Sequence, residues 1–214
     1  MKRFFSCRTS VRSLREKVTC AKGAALKILI VTDAWHPQIN GVVRTYEYLR
    51  DELQAMGHTV RIIGPTDFPR SFPMPAYNEI RLVAFPYKSL ARMIEDFAPD
   101  TLHIATEGPL GLAARKYAIR NTMAFTSCYH THFPEYAAKR AARILPILEN
   151  PVRALGISFM RWFHSASSCL FAATPSLEHQ LRIWSFACPI KRMTRGIDHD
   201  MFTVGQRTLF HDLK

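Results

Sequence analysis

Long apolar runs are missing from this 214-residue chain, and no stretch approaches the ~18 residues a membrane-spanning helix needs. Cysteine is sparse and odd in number: Cys7, Cys20, Cys128, Cys169 and Cys188, with no C-x-x-C pair. That argues against a disulfide framework or a zinc site and for reduced, mostly buried thiols. The nine glycines form neither G-x-G-x-x-G nor a Walker A sequence, which argues against a dinucleotide enzyme or a P-loop NTPase. No G-x-S-x-G elbow appears either. Acid is scarce, 17 Asp and Glu against 29 Lys and Arg, for a formal charge of +12. What is present is core-forming material. A chain 48% hydrophobic and 21% charged is not disordered, and its length allows one full domain and at most a fragment of another.

The positive charge is unevenly spread. Residues 1–27 hold eight basic side chains against Glu16 alone. A second cluster, from Lys139 to Arg195, holds nine against Glu149 and Glu178. Such a balance suits an anionic partner such as phospholipid headgroups, a nucleotide or nucleic acid, and equally suits a solvated face. Residues 1–26 lack the apolar stretch of a secretory signal. They read either as an Arg- and Ser-containing transit peptide or as a basic disordered extension, and are left out of the fold.

From Lys27 onward, short apolar runs alternate with helical periodicity. Lys27-Ile28-Leu29-Ile30-Val31-Thr32 is a strand covered on both faces. Val42, Tyr46, Leu49, Leu53 and Met56 recur at helical spacing, and Gly57 stops the helix. Val60–Gly64 is the next strand, so this strand–helix–strand unit calls for parallel pairing. Further strands are expected over residues 79–85, 101–105, 124–128, 168–173 and 190–194. Helices are expected over 88–97, 110–121 and 175–184, and over 133–164 with interruptions at Pro146 and Pro151. Pro65 to Pro75 reads as an irregular loop. The sum is a doubly wound, mostly parallel, Rossmann-like α/β sheet.

In such a sheet ligands gather beyond the carboxyl ends of the strands. Gly41, at the start of a helix, would let backbone N–H groups approach a phosphate, or it serves only the turn. Tyr129-His130-Thr131-His132 puts two histidines just past a strand. Two residues apart on an extended segment, they would share one face. No further ligands are spaced to complete a metal site, which leaves contact with a substrate or simple packing. Glu107 either binds a hydroxyl or is a helix-entry acid. His103, inside a strand, reads as a core histidine, and Asp198-His199-Asp200 as a chance match to a metal signature.

Five segments in order carry a family resemblance: residues 28–33, 36–45 (ending Asn40-Gly41-Val42-Val43-Arg44-Thr45), 106–111 (Thr106-Glu107-Gly108-Pro109-Leu110-Gly111), 129–136 and 195–198. Together they resemble the N-terminal half of family 4 retaining glycosyltransferases of the two-Rossmann GT-B fold. The nearest flavour is the group of GDP-mannose-dependent α-mannosyltransferases and sulfoquinovosyl-diacylglycerol synthases. The resemblance implies an acceptor domain over 27–196 and a hinge over 197–214, leading to a C-terminal donor domain that this chain lacks. It implies that Asn40, Gly41 and Val42 face the donor diphosphate and that His130 contacts the transferred sugar. Glu107, Gly108, Tyr129 and His132 would line the acceptor side, with Arg195, Gly196 and Asp198 at the hinge. A nucleotide sugar such as GDP-mannose would be the substrate, with no cofactor and no metal. A membrane glycolipid would be the acceptor and nucleic acid no partner, at a cytoplasmic location that extends to the inner face of a membrane. Without the donor half the chain is expected to be inactive or weak. The alternative is a non-catalytic module for anionic lipid or glycan.

Overall fold

The computed structural model describes residues 24–74, 77–130 and 132–193. Six strands form one sheet: β1 (Lys27–Val31), β2 (Thr59–Ile63), β5 (Thr101–Ile104), β6 (Phe125–Tyr129), β7 (Cys169–Ala172) and β8 (Ile190–Arg192). Their order is β2-β1-β5-β6-β7-β8, and every pairing is parallel. The apolar run of β1 after Lys27 follows from burial on both sides. Leu29 and Val31 join one core cluster, whereas Ile30, with Ile28 beside it, joins another on the opposite face.

Helix α1 (Gly41–Ala55) lays Val42, Tyr46, Leu49 and Leu53 against Ile30 and Val60. Met56, expected on this face, is exposed just past the helix end. Gly57 follows with φ +88°, the left-handed conformation that a glycine supplies without steric cost. On the other face, α2 (Tyr87–Phe97) and α3 (Pro109–Arg120) contribute Leu90, Ile94, Leu110 and Ala114 to the larger cluster. Helices α4 (Phe133–Ile144) and α5 (Glu149–His164) form an antiparallel hairpin, and α6 (Pro175–Ile183) precedes β8.

Two expectations are corrected. The segment from Pro65 is not an irregular loop: it holds a 3-10 turn (Pro65–Asp67) and a strand, β3 (Ser71–Met74). The strand expected over 79–85 is β4 (Tyr77–Val83), which pairs antiparallel with β3 and stands outside the parallel sheet. Pro146 does separate α4 from α5, whereas Pro151 lies in the first turn of α5. There its missing N–H would have had no helical partner in any case, so the helix runs through.

Candidate functional site

The chain runs from β1 to α1 and β2 on one side and then to β5 on the other, so the strand order reverses between β1 and β5. The crevice predicted by that reversal lies beyond their carboxyl ends. Asp33 and Thr106 close its floor. The Asp33 N–H donates to Thr106 Oγ1 at 2.6 Å, and Thr106 Oγ1–H returns a bond to Asp33 Oδ2 at 3.0 Å. The same carboxylate accepts from the Leu110 N–H (2.8 Å) and the Gly111 N–H (3.2 Å), so it caps the start of α3. Burial pushes the Asp33 pKa up to about 6, although those backbone donors and Thr106 pull it down; Glu107 adds a further upward push. Gly108 sits against this carboxylate: a Cβ there would lie 2.5 Å from Asp33 Cγ. A Cβ on Gly111 would run into the Thr106 carbonyl. Both glycines therefore permit the close approach of the Thr106–Gly108 loop to β1.

Asn40 is the N-cap of α1, its Oδ1 accepting from the Val42 N–H (2.9 Å) and Val43 N–H (3.1 Å). Two of the amides that would meet a phosphate are thus engaged by the cap, while Gly41 is exposed beside them. A shallow hollow of about 260 Å³ lies next to this turn, rimmed by His36, Gln38, Arg44 and Glu47, with His36 Nε2 2.8 Å from Glu47 Oε1. A larger one, about 320 Å³, involves Arg161, Trp162 and Ser185. Ser165 and Ala187 place it near the amino ends of β7 and β8, at the opposite end of the sheet from the crevice.

His130, one residue past β6, turns toward α1. Its Nε2 lies 2.9 Å from the Tyr46 hydroxyl and its Nδ1 3.9 Å from Cys128 Sγ. The same hydroxyl lies 2.8 Å from His103 Nε2, and His103 Nδ1 lies 2.8 Å from Thr126 Oγ1. His103 is the satisfied core histidine its position suggested. Burial, with the neighbouring His130, holds its pKa down to about 3, so it is neutral. His132 does not share the face of His130. It is the N-cap residue of α4, and its ring stands edge-on to Tyr129 and Trp184. The turn into α4 ends the extended segment on which a common face depended.

Glu107 is half-buried, with Oε1 3.2 Å from His164 Nε2. The fully buried His164 reaches Ser127 Oγ through Nδ1 at 2.8 Å. Serine, histidine and glutamate in line have the composition of a hydrolytic triad with its order of exposure inverted. Ser127 is fully buried and the carboxylate is at the open end, so the chain positions Glu107 and offers no nucleophile. Tyr129, expected to line the acceptor side, is instead fully buried among Met160, Leu177 and Leu181. Among the described residues its hydroxyl is the one buried side-chain polar atom without a hydrogen-bond partner. Burial, then Glu107 and Glu135, raise its pKa.

The structure thus brings Asn40, Gly41 and Val42 to the same helix that holds His130, and places Glu107 and Gly108 across the β1–β5 crevice. Thr131, Arg195, Gly196 and Asp198 lie outside the described residues. Sequence reasoning missed Asp33, Tyr46 and His164. Asp33 carried one usable signal, an acid ending an otherwise apolar strand at the switch point. Among the described residues no three His, Cys, Asp or Glu side chains gather as a metal site would need, and no helix is long and apolar enough to cross a membrane.

The chain is similar to several known proteins. The "Sulfoquinovosyl transferase SQD2" of Arabidopsis thaliana is 26% identical over 172 residues, covering 75% of this chain and 29% of that protein. A "GDP-mannose-dependent alpha-mannosyltransferase" of Mycobacterium tuberculosis is 23% identical over 202 residues, covering 85% of this chain and 50% of that one. An "Alpha-monoglucosyldiacylglycerol synthase" of Streptococcus pneumoniae is 28% identical over 127 residues, covering 52% of this chain and 28% of its own length. The chain therefore spans half or less of these relatives. A solved alpha-glucosyltransferase in complex with UDP and DNA aligns with a TM-score of 0.44 at 15% identity, covering 83% of this chain and 43% of its own. The family model for Glycosyltransferase Family 4 matches residues 39–201, and the chain belongs to that family.

Proposed function

We propose that residues 27–196 form the acceptor-binding half of a retaining GT-B glycosyltransferase that transfers a hexose, read as mannose, from a nucleotide sugar such as GDP-mannose to a membrane glycolipid. The observation that supports the reading is that the segments after β1, β5 and β6, at the carboxyl ends of neighbouring parallel strands, carry these residues. The β6 loop delivers His130 onto Tyr46 of the helix that begins at Gly41, and the β5 loop, tied to the β1 loop through Thr106 and Asp33, carries Glu107. In this reading His130 faces the transferred sugar and steadies charge developing there, while Glu107, held by His164, receives the acceptor hydroxyl. The donor phosphates meet basic side chains and the start of α1, so the reading calls for no metal. The mannose choice leans on the Mycobacterium tuberculosis relative, which matches the largest share of this chain among the relatives described.

The chain spans 50% of the Mycobacterium tuberculosis relative and 29% of the Arabidopsis thaliana one. Assayed by itself it would transfer little, because a half-site that does not grip the leaving diphosphate loses most of its transition-state binding. The test supplies the chain with GDP-[14C]mannose and a membrane lipid extract, with and without the nucleotide-sugar half of the mycobacterial relative in trans. Label entering the chloroform phase only in the pair is the expected result. Equal rates for the chain alone would overturn the inactivity claim, and no transfer from any nucleotide hexose would overturn the function.

A second reading, a binding module for anionic lipid, has its own observation. On the α4–α5 hairpin Tyr136, Ile144, Ile147 and Leu155 are each more than 70% exposed, and Lys139, Arg140 and Arg143 lie on the same hairpin. Apolar side chains at a tip with cations along its flank match a bilayer surface carrying negative headgroups. Flotation with phosphatidylglycerol-containing and purely zwitterionic vesicles tests it; equal recovery in both would remove the electrostatic part.

A further inference from the structure

Asp33, two residues past β1, holds the starts of two helices through two different groups. Its carboxylate accepts from the Leu110 and Gly111 N–H groups at the start of α3. Its main-chain carbonyl accepts from Gln38 Nε2 at 3.3 Å, and Gln38 Oε1 accepts from Asn40 Nδ2 at 3.1 Å. Asn40 in turn caps α1 through Oδ1. Gln38 lies in a loop and is nevertheless only 4% exposed, with its own N–H bonded to the Trp35 carbonyl at 3.2 Å. A side-chain amide buried to that degree must find partners for both its oxygen and its nitrogen, and here each end has one.

The sense of each bond is set by groups that have no choice of role. The Val42 and Val43 N–H groups only donate, so the Asn40 atom they meet is the oxygen and its other atom is the Nδ2 donor. The Gln38 atom facing that donor is therefore oxygen, which turns Gln38 Nε2 onto a carbonyl that only accepts. We propose that Gln38 is a positioning residue for the start of α1, carrying the placement of Asp33 at the end of β1 to the Asn40 cap. The Arg44 N–H bonds the Asn40 carbonyl at 3.1 Å, and the cap takes those of Val42 and Val43. That leaves the Gly41 N–H as the first-turn amide without a partner among the described residues. Every link from Asp33 to the cap is a neutral amide or carbonyl, so this turn is fixed without setting a carboxylate into it. The weight of Gln38 in the reaction rests on α1 facing the donor diphosphate, as read above; its hold on the cap does not.

The test is hydrogen exchange of the full chain, followed amide by amide in 1H–15N correlation spectra, for the wild type and two variants. Gln38→Met keeps the length of the side chain and removes both bonds. Gln38→Asn keeps the amide and is one methylene too short to reach both partners; it carries the test alone where Gln38→Met fails to fold. Exchange at Val42 and Val43 is expected to quicken by about 3- to 10-fold, the factor to which one lost hydrogen bond corresponds. Leu110 and Gly111, held by the Asp33 carboxylate and not by Gln38, are expected to keep their wild-type rates. Wild-type rates at Val42 and Val43 would mean a cap that stands without Gln38. An equal rise at all four amides would mean a loosened fold and not a positioned helix start. Either result overturns the proposal. In the reconstituted pair Gln38→Asn is expected to raise the KM for GDP-mannose by a similar factor while kcat stays within about twofold, as for a lost binding contact. If the cap amides loosen while that KM keeps its wild-type value, Gln38 keeps its positioning role and the reading of α1 as the donor-facing helix falls.

Discussion

The crevice end of the sheet and the tip of the α4–α5 hairpin solve opposite problems. At the crevice, polar and titratable groups are buried, and almost all are satisfied by partners far away in sequence. Asp33 caps α3 at Leu110, His130 meets Tyr46, and Glu107 meets His164. At the tip, apolar side chains such as Ile144 and Ile147 lie open to solvent, with cations beside them. A buried polar network ties function to fold, because a lost partner leaves a desolvated group unpaired. An exposed apolar tip contributes little to folding and is therefore free to serve association. Substitutions at the first region should cost stability, with chemistry lost as well where the group faces the crevice, and those at the second should cost only binding.

The largest expected effect separates two histidines that share one phenol. In the reconstituted pair His130→Ala should lower transfer by about 10²-fold, in the range typical of a lost acid–base or charge-stabilising group. His103→Ala should leave most of the turnover and cost about 2–4 kcal/mol of stability, because it opens a cavity and removes one hydrogen-bond partner each from Tyr46 and Thr126. Initial rates and urea unfolding of both variants check the split, and matching losses of turnover would erase the distinction between them.

How much of this was legible in the sequence follows the same division by distance. Strand β1 was readable because burial on both faces leaves Ile28 to Val31 apolar without a break, and α1 because its face repeats locally and Gly57 ends it. The β3–β4 pair was not. Its prolines argue for a loop, and antiparallel pairing between neighbours leaves no helical punctuation to find. At the site, Asn40, Gly41, Glu107 and His130 stood out because loops after parallel strands are where ligands meet such sheets. The direction of each side chain did not stand out. His130 is turned by a tyrosine 84 residues earlier, Glu107 by a histidine 57 residues later, and α3 is capped by an aspartate 77 residues before it. No local pattern encodes those pairings. His132 was misplaced for a related reason, since the two-residue rule holds only while the chain stays extended and α4 begins at once.

The next effect is a pH dependence lodged at the crevice. Folding raises the Asp33 pKa from 3.8 to about 6, so the folded state holds the proton more tightly than the unfolded chain. The Asp33 contribution is therefore most favourable below about pH 4 and is lost as the pH rises through about 6, by the order of 2–3 kcal/mol for a two-unit shift. Asp33→Asn should remove that slope. Urea unfolding of both proteins at pH 4.5 and pH 8 should show the wild type losing ground to the variant at the higher pH. A difference independent of pH would mean that the capping bonds from Leu110 and Gly111 fully offset the burial.

At the tip the expected effect on folding is the smallest, and its smallness is the point. Ile144 and Ile147 are 82% and 76% exposed, so little of either side chain is removed from water on folding. Replacing both with Ser should change the unfolding free energy by no more than about 0.5 kcal/mol per site, as for surface positions generally. Flotation with phosphatidylglycerol vesicles should nevertheless fall, because a side chain that is exposed in the free protein has its whole apolar area to contribute at a bilayer. Arg140 and Arg143 replaced by Gln should weaken flotation in a salt-dependent way, each cation near an anionic surface contributing about 1 kcal/mol. A loss of stability matching the loss of flotation would mean that the tip is packed after all, and the contrast with the crevice would dissolve.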